Sequence, residues 1–180
     1  MRLLKLNFQA LAAATLLVAT AVMAACSPAL NWRDVRPEGT RLSLLLPCKP
    51  DKAEKTVPMG GQLTTLRMLG CDADGLTFAV SSADVSDTAA IPSILAAWQQ
   101  LTLTNMKAAK ADSAAPLKMV GATASTGVWV KAKGQRADGT SVMGHAAYFS
   151  QGATVFQAVI YGAQIKTETA ETYFSGLKFE

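Results

Sequence analysis

The sequence predicts an α+β domain, an antiparallel β-sheet with two helices packed on it, in the order β-β-β-α-β-β-β-α. Three observations predict it. Short runs of apolar or alternating residues are separated by Gly60-Gly61, Asp74-Gly75, Asp138-Gly139 and Gln151-Gly152, turn pairs that join neighbouring strands antiparallel. Residues 90–109 switch to apolar positions at three- and four-residue spacing. A second helical pattern, Lys166 to Ser175, closes the chain and is followed by Gly176.

Each element has its own justification. Leu42-Ser43-Leu44-Leu45-Leu46-Pro47 is a short apolar run stopped by proline, a strand. Pro50 to Pro58 is polar and lysine-bearing and reads as a loop. Leu63 to Cys71 and Leu76 to Ser81 read as the second and third strands, on either side of Asp74-Gly75. Ile91, Ile94, Leu95, Trp98, Leu101 and Met106 form the apolar face of a helix, with Pro92 where a first turn tolerates it. The Ala-rich tract Lys107 to Ala115 is the loosest stretch, and Pro116 and Gly121 bracket a short segment. Val128, Val130 and Ala132 alternate with Trp129, Lys131 and Lys133, and strands Val142 to Phe149 and Thr154 to Tyr161 follow. In the last helix Thr167 is the expected N-cap, and Ala170, Tyr173, Phe174 and Leu177 give it an apolar side. Leu177 to Phe179 adds an edge strand.

Composition divides the chain into an address and a domain. The 180 residues are 50% hydrophobic and 17% charged, which excludes a disordered, solvating protein and suits one domain. Residues 1–25 open with Arg2 and Lys5 and continue uncharged from Phe8 to Ala25, the layout of a secretory signal peptide. Residues 26–40 then form a tether and docking segment, with Trp32 and Val35 able to meet a core, and residues 41–180 form the domain. Removing the signal peptide takes Arg2 and Lys5 with it. The 17 basic residues become 15 against 13 acidic ones, so the net charge falls from +4 to +2. The pI of 9.1 therefore does not argue for nucleic acid.

Two resemblances follow. The end of the apolar run, Val22-Met23-Ala24-Ala25-Cys26, resembles the lipobox of bacterial lipoproteins. It departs from that pattern at Met23, where the family prefers Leu. The resemblance implies diacylglyceryl attachment to the Cys26 thiol, cleavage before Cys26, and a partner in the lipid bilayer. Ser27 follows the cysteine where Asp would favour the inner membrane, which implies the outer membrane, facing the periplasm. Simple secretion after cleavage behind Ala24, and a retained helix at the lower limit of spanning length, are the competing readings. At the order of its elements, the mature chain resembles the PsbP-like α/β/α sandwich, and the Trp32-Arg33 and Pro47-Cys48-Lys49-Pro50 segments are similar to those of uncharacterised proteobacterial lipoproteins. The latter resemblance implies no activity.

Three cysteines in an exported chain leave one over. With Cys26 lipidated, Cys48 and Cys71 form a pair, and an oxidising compartment makes a disulfide its expected state. That pair closes a loop of about two dozen residues, worth about 3 kcal/mol in the chain-entropy account.

Chemistry is sparse. His145 is the only histidine and lies in a strand, so a hydrolase using it as general base competes with a structural histidine. Asp72-Ala73-Asp74-Gly75 has carboxylates at alternate positions but lacks the closing Glu of a calcium loop, and reads as a hairpin turn. No metal and no cofactor are expected. Lys131, Lys133 and Arg136 near Trp129 could face an anionic envelope surface, and the alternative is a charged strand edge. The apolar face of helix 90–109 is either core or the wall of a pocket for a small apolar ligand. The expected function is thus a non-enzymatic binding or interaction module on the envelope, meeting an envelope protein or component, with a carrier or sensor of an apolar ligand as the alternative.

Overall fold

The computed structural model describes residues 29–117, 119–121 and 127–180. The signal segment, Cys26 and the beginning of the tether lie outside the described residues. The architecture is α+β, with antiparallel sheets and two helices. Strands β1 (Arg33–Val35), β2 (Leu42–Leu46), β3 (Asp51–Met59), β4 (Gln62–Ala73) and β5 (Leu76–Asp84) precede helix α1 (Ile91–Asn105). Strands β6 (Ser113–Pro116), β7 (Val128–Gln135), β8 (Ser141–Gln151) and β9 (Thr154–Gly162) precede α2 (Thr167–Ser175), and β10 (Lys178–Phe179) ends the chain. Seven strands form one sheet in the order β3-β4-β5-β9-β8-β7-β6, and β1-β2-β10 form a smaller one.

The order β-β-β-α-β-β-β-α is therefore corrected: five strands stand before α1, four between the helices and one after. The first added strand, β1, is the docking segment itself. It pairs with β2 through Arg33↔Leu46 and Val35↔Leu44. The second, β3, replaces the expected loop Pro50–Pro58. It is an edge strand whose side chains are mostly exposed, so no apolar face betrays it. The Gly60-Gly61 turn folds it onto β4, both glycines at positive φ, and Pro58 is tolerated because the edge has a free side. The third, β6, is four exposed residues ending at Pro116. Helix α1 stops at Asn105, short of 109, because Lys107 turns into the left-handed region at φ 52°. Lys166, in extended conformation, is the N-cap of α2, and Thr167 is its first helical residue.

Layers follow from alternation along the central strands. One face of the large sheet presents Phe78, Ala147, Phe149, Phe156, Ala158 and Ile160, and these are covered by Leu42, Leu44 and Leu46 of β2 and by Ala170 and Tyr173 of α2. Phe149 and Phe156 stack at 5.2 Å, and Phe179 meets both edge-on. Trp32 reaches Phe78 edge-on at 5.9 Å, so the docking segment does meet the core. The Tyr173 hydroxyl donates to the Ala79 carbonyl at 2.7 Å, which satisfies a fully buried phenol.

The opposite face presents Val130, Ala146, Tyr148, Val155 and Val159 to Ile91, Ile94 and Leu95 of α1. A buried polar bridge joins them: Gln157 Nε2 donates to Thr102 Oγ1 at 2.9 Å and to the Tyr148 hydroxyl at 3.2 Å. The end of α1 approaches β7 so closely that a Cβ at Gly134 would lie 2.0 Å from the Met106 carbonyl oxygen. Glycine is required there, and the same carbonyl accepts from Gln135 N–H at 2.7 Å. Among the described residues, no helix is long and apolar enough to cross a membrane.

Candidate functional site

The strongest candidate site lies on the α2 face, where β7 and β8 run past the helix. Alternation puts Trp129 and Lys131 on one face of β7, and the register Lys131↔His145 sets the histidine beside them on β8. Phe174 of α2 closes over Trp129 edge-on at 5.9 Å, and Trp129 meets His145 edge-on at 5.8 Å. Lys131 Nζ stands 4.4 Å from the centre of the Trp129 ring, a cation–π distance. Around them opens a groove of about 390 Å³, walled by Pro116, Leu117, Ala170 and Phe174, with Thr167, Glu171 and Ser175 along the helix side. That volume is in the range of small-molecule sites.

Three buried nitrogens on residues that line this groove lack partners among the described residues. His145 is 4% exposed, yet neither ring nitrogen has a hydrogen-bond partner among the described residues, and neither has Trp129 Nε1. Each such orphan costs about 1–3 kcal/mol. Burial, and secondarily the charge of Lys131, push His145 down to about 4. The imidazole is therefore neutral near neutral pH, with one donor and one acceptor nitrogen. The groove thus offers apolar walls, two N–H donors, one nitrogen acceptor and a cation.

Lys133 shares the β7 face with Lys131 but is exposed, and Arg136 sits in the β7–β8 turn, its N–H bonded to the Thr140 carbonyl. The structure therefore joins Lys131 to the groove and leaves Lys133 and Arg136 at the solvent end of the hairpin. A general base needs a nucleophile or an orienting group in hydrogen-bond reach and a pKa near the working pH. Among the described residues no such group bonds to His145, and its pKa of about 4 lies well below neutral, so these residues give the hydrolase reading no geometric support.

Cys48 and Cys71 form a disulfide with Cα atoms 6.0 Å apart, tying the segment just after β2 to β4. Cys26 lies outside the described residues. Asp74-Gly75 makes the two-residue β4–β5 turn with φ 52° and 72°, and Asp72 accepts from Thr77 Oγ1 at 2.6 Å. Among the described residues, no cluster of three or more metal-ligating side chains exists. Along α1, Trp98 packs edge-on against Tyr148 at 6.4 Å as core. A smaller groove of about 200 Å³ lies between the β3–β4 hairpin and Ile94, Trp98 and Leu101.

The sequence pointed to Lys131 and His145 separately and missed their meeting with Leu117 and Phe174. Trp129 and Lys131 at alternate positions were a usable signal, but the β7–β8 register that adds His145 was not.

No family model matches the chain, and no curated protein matches it. Among solved structures, the chain is similar to a Bacteroides thetaiotaomicron VPI-5482 protein, with 17% identity and a TM-score of 0.42 over 82% of this chain. The match spans 48% of that protein, about half its length.

Proposed function

We propose that the protein is an envelope lipoprotein, tethered through acylated Cys26, whose domain is a non-enzymatic binding module. The groove between α2 and β6–β8 is its binding surface. One observation carries this reading: a buried histidine and an indole N–H, both on residues that line an apolar groove, have no hydrogen-bond partner among the described residues. Native proteins rarely leave such groups unsatisfied, and a ligand supplies the missing partners. The address rests on Val22-Met23-Ala24-Ala25-Cys26 behind an uncharged run. Two or three acyl chains at about 0.8 kcal/mol per buried CH₂ hold such a domain firmly, whereas one holds it marginally. With α1 and α2 on opposite faces of the large sheet, the finer fold assignment is the PsbP-like α/β/α sandwich.

Solvent extraction of protein purified from its own envelope tests the binding reading. A small molecule recovered in near-equal amount to the protein supports it, and its absence contradicts it. Palmitate labelling tests the anchor: label lost in Cys26→Ala supports it, and label retained contradicts it.

A further inference from the structure

We propose that the groove binds a small amphipathic anion, an apolar body carrying a carboxylate-type head. This deepens the binding reading above and rests on it. The head's oxygens accept from Trp129 Nε1–H and from the His145 ring N–H, and its charge lies against the Lys131 ammonium. The body fills the space between Pro116, Leu117, Ala170 and Phe174.

Donor count and charge select this chemistry. Trp129 Nε1 can only donate, and neutral His145 donates from one nitrogen, so two unpaired donors face one unpaired acceptor. Two N–H groups beside a cation match the two oxygens of an anionic head better than a hydroxyl or an amine. Among the described residues, Lys131 forms no ion pair, and its ammonium rests on the Trp129 ring. The three nitrogens are closed off from bulk water, so entry of the head requires a neighbouring side chain to move, and half-buried Lys131, whose ammonium lies over the indole, is one that can. A flexible four-carbon stem allows that and lets the ammonium follow the head. Glu171, exposed on α2, is the one opposing charge among the described residues that line the groove, and solvent screens it. The walls combine aromatic and aliphatic surface, so acyl and aryl carboxylates share the required chemistry.

The test uses the processed, acylated protein in phospholipid nanodiscs, with empty nanodiscs as the blank. Octanoate and naphthoate are titrated by isothermal calorimetry, beside their neutral counterparts octanol and naphthylmethanol. The expected result is saturable binding of at least one carboxylate at a single site, about tenfold tighter than its alcohol. Lys131→Met and Trp129→Phe each weaken it by roughly tenfold, a loss typical of one hydrogen bond to a charged group. Glu171→Gln tightens it, and Lys55→Met, on the far edge strand, leaves it unchanged. Octanoate alone binding identifies an acyl ligand, and naphthoate alone an aryl one; either supports the proposal. Alcohols binding as tightly as carboxylates, or Lys131→Met binding like the native chain, overturns the anion assignment while leaving the groove a binding site. Binding of none of the four probes overturns both.

Discussion

His145 is the residue on which most of the chemistry turns. It sits between Lys131 on β7 and Ile160 on β9, with Trp129 against its edge, and Glu171 lines the same groove. In the folded chain its pKa is about 4, against 6.5 for a free imidazole. As pH falls from 6.5 toward 4, the unfolded chain takes up a proton that the folded chain refuses, so folding loses stability across that window. Urea unfolding should therefore show the native chain losing stability relative to His145→Leu as the pH drops through this window. Parallel curves for the two chains would contradict the buried, neutral imidazole. Glu38, Asp84, Asp138 and Glu180 have carboxyls held low by hydrogen bonds and neighbouring cations, so they add their own acid sensitivity to both chains equally. The lone histidine, the indole and the lysine were visible as residues. Their convergence was not, because it depends on which residue of β8 lies across from Lys131.

At the scale of elements, contacts between layers matter more than local propensity. The disulfide joins the segment after β2 to β4 and so staples the small sheet to the large one. Non-reducing intact mass should be two hydrogens lighter than reduced mass, and Cys48→Ser with Cys71→Ser should cost about 3 kcal/mol by chemical denaturation. A cost near zero would show that β2 is held by its buried leucines alone. Gly134 fixes where α1 ends on β7. Gly134→Ala should destabilise by about 1–3 kcal/mol, since the Met106 carbonyl is backbone and cannot yield like a side-chain tip. An unchanged melting temperature would contradict that close approach. Strand β5 with its alternation, β9 with its apolar run after a Gly turn, and helix α1 with its spaced apolar face were legible because each carries a clear pattern. Strand β3 was not, because an exposed edge carries no apolar period, and β1 and β6 are too short to show one. The start of α2 was displaced by one residue because Lys166 provides an extended backbone without a side-chain cap.

At the scale of the whole molecule, a sheet covered on both faces leaves the candidate groove at one side, where residues of α2 meet the β6–β8 end. The opposite end is guarded differently. Strand β3 exposes Lys52 and Lys55 and carries Pro58 next to its end, features that discourage edge-to-edge pairing. The modest net charge of +4, from 17 basic and 13 acidic residues, leaves specificity to local groups such as Lys131 rather than to a global field. Tethering by acyl chains would keep that opening close to the bilayer, where amphipathic anions are abundant. Fold class was legible from turn pairs and periodicity, whereas the groove depends on strand register and on the docking of α2.

The central claim is that the groove between α2 and β6–β8 holds a small molecule in the envelope. Native mass spectrometry of the protein released from its own membrane tests it most directly, with Glu171→Trp, an exposed substitution that fills the groove mouth, run beside the native chain. The account predicts a non-covalent mass on the native chain that is lost in Glu171→Trp. A bare native chain, or the same added mass on both, would contradict it.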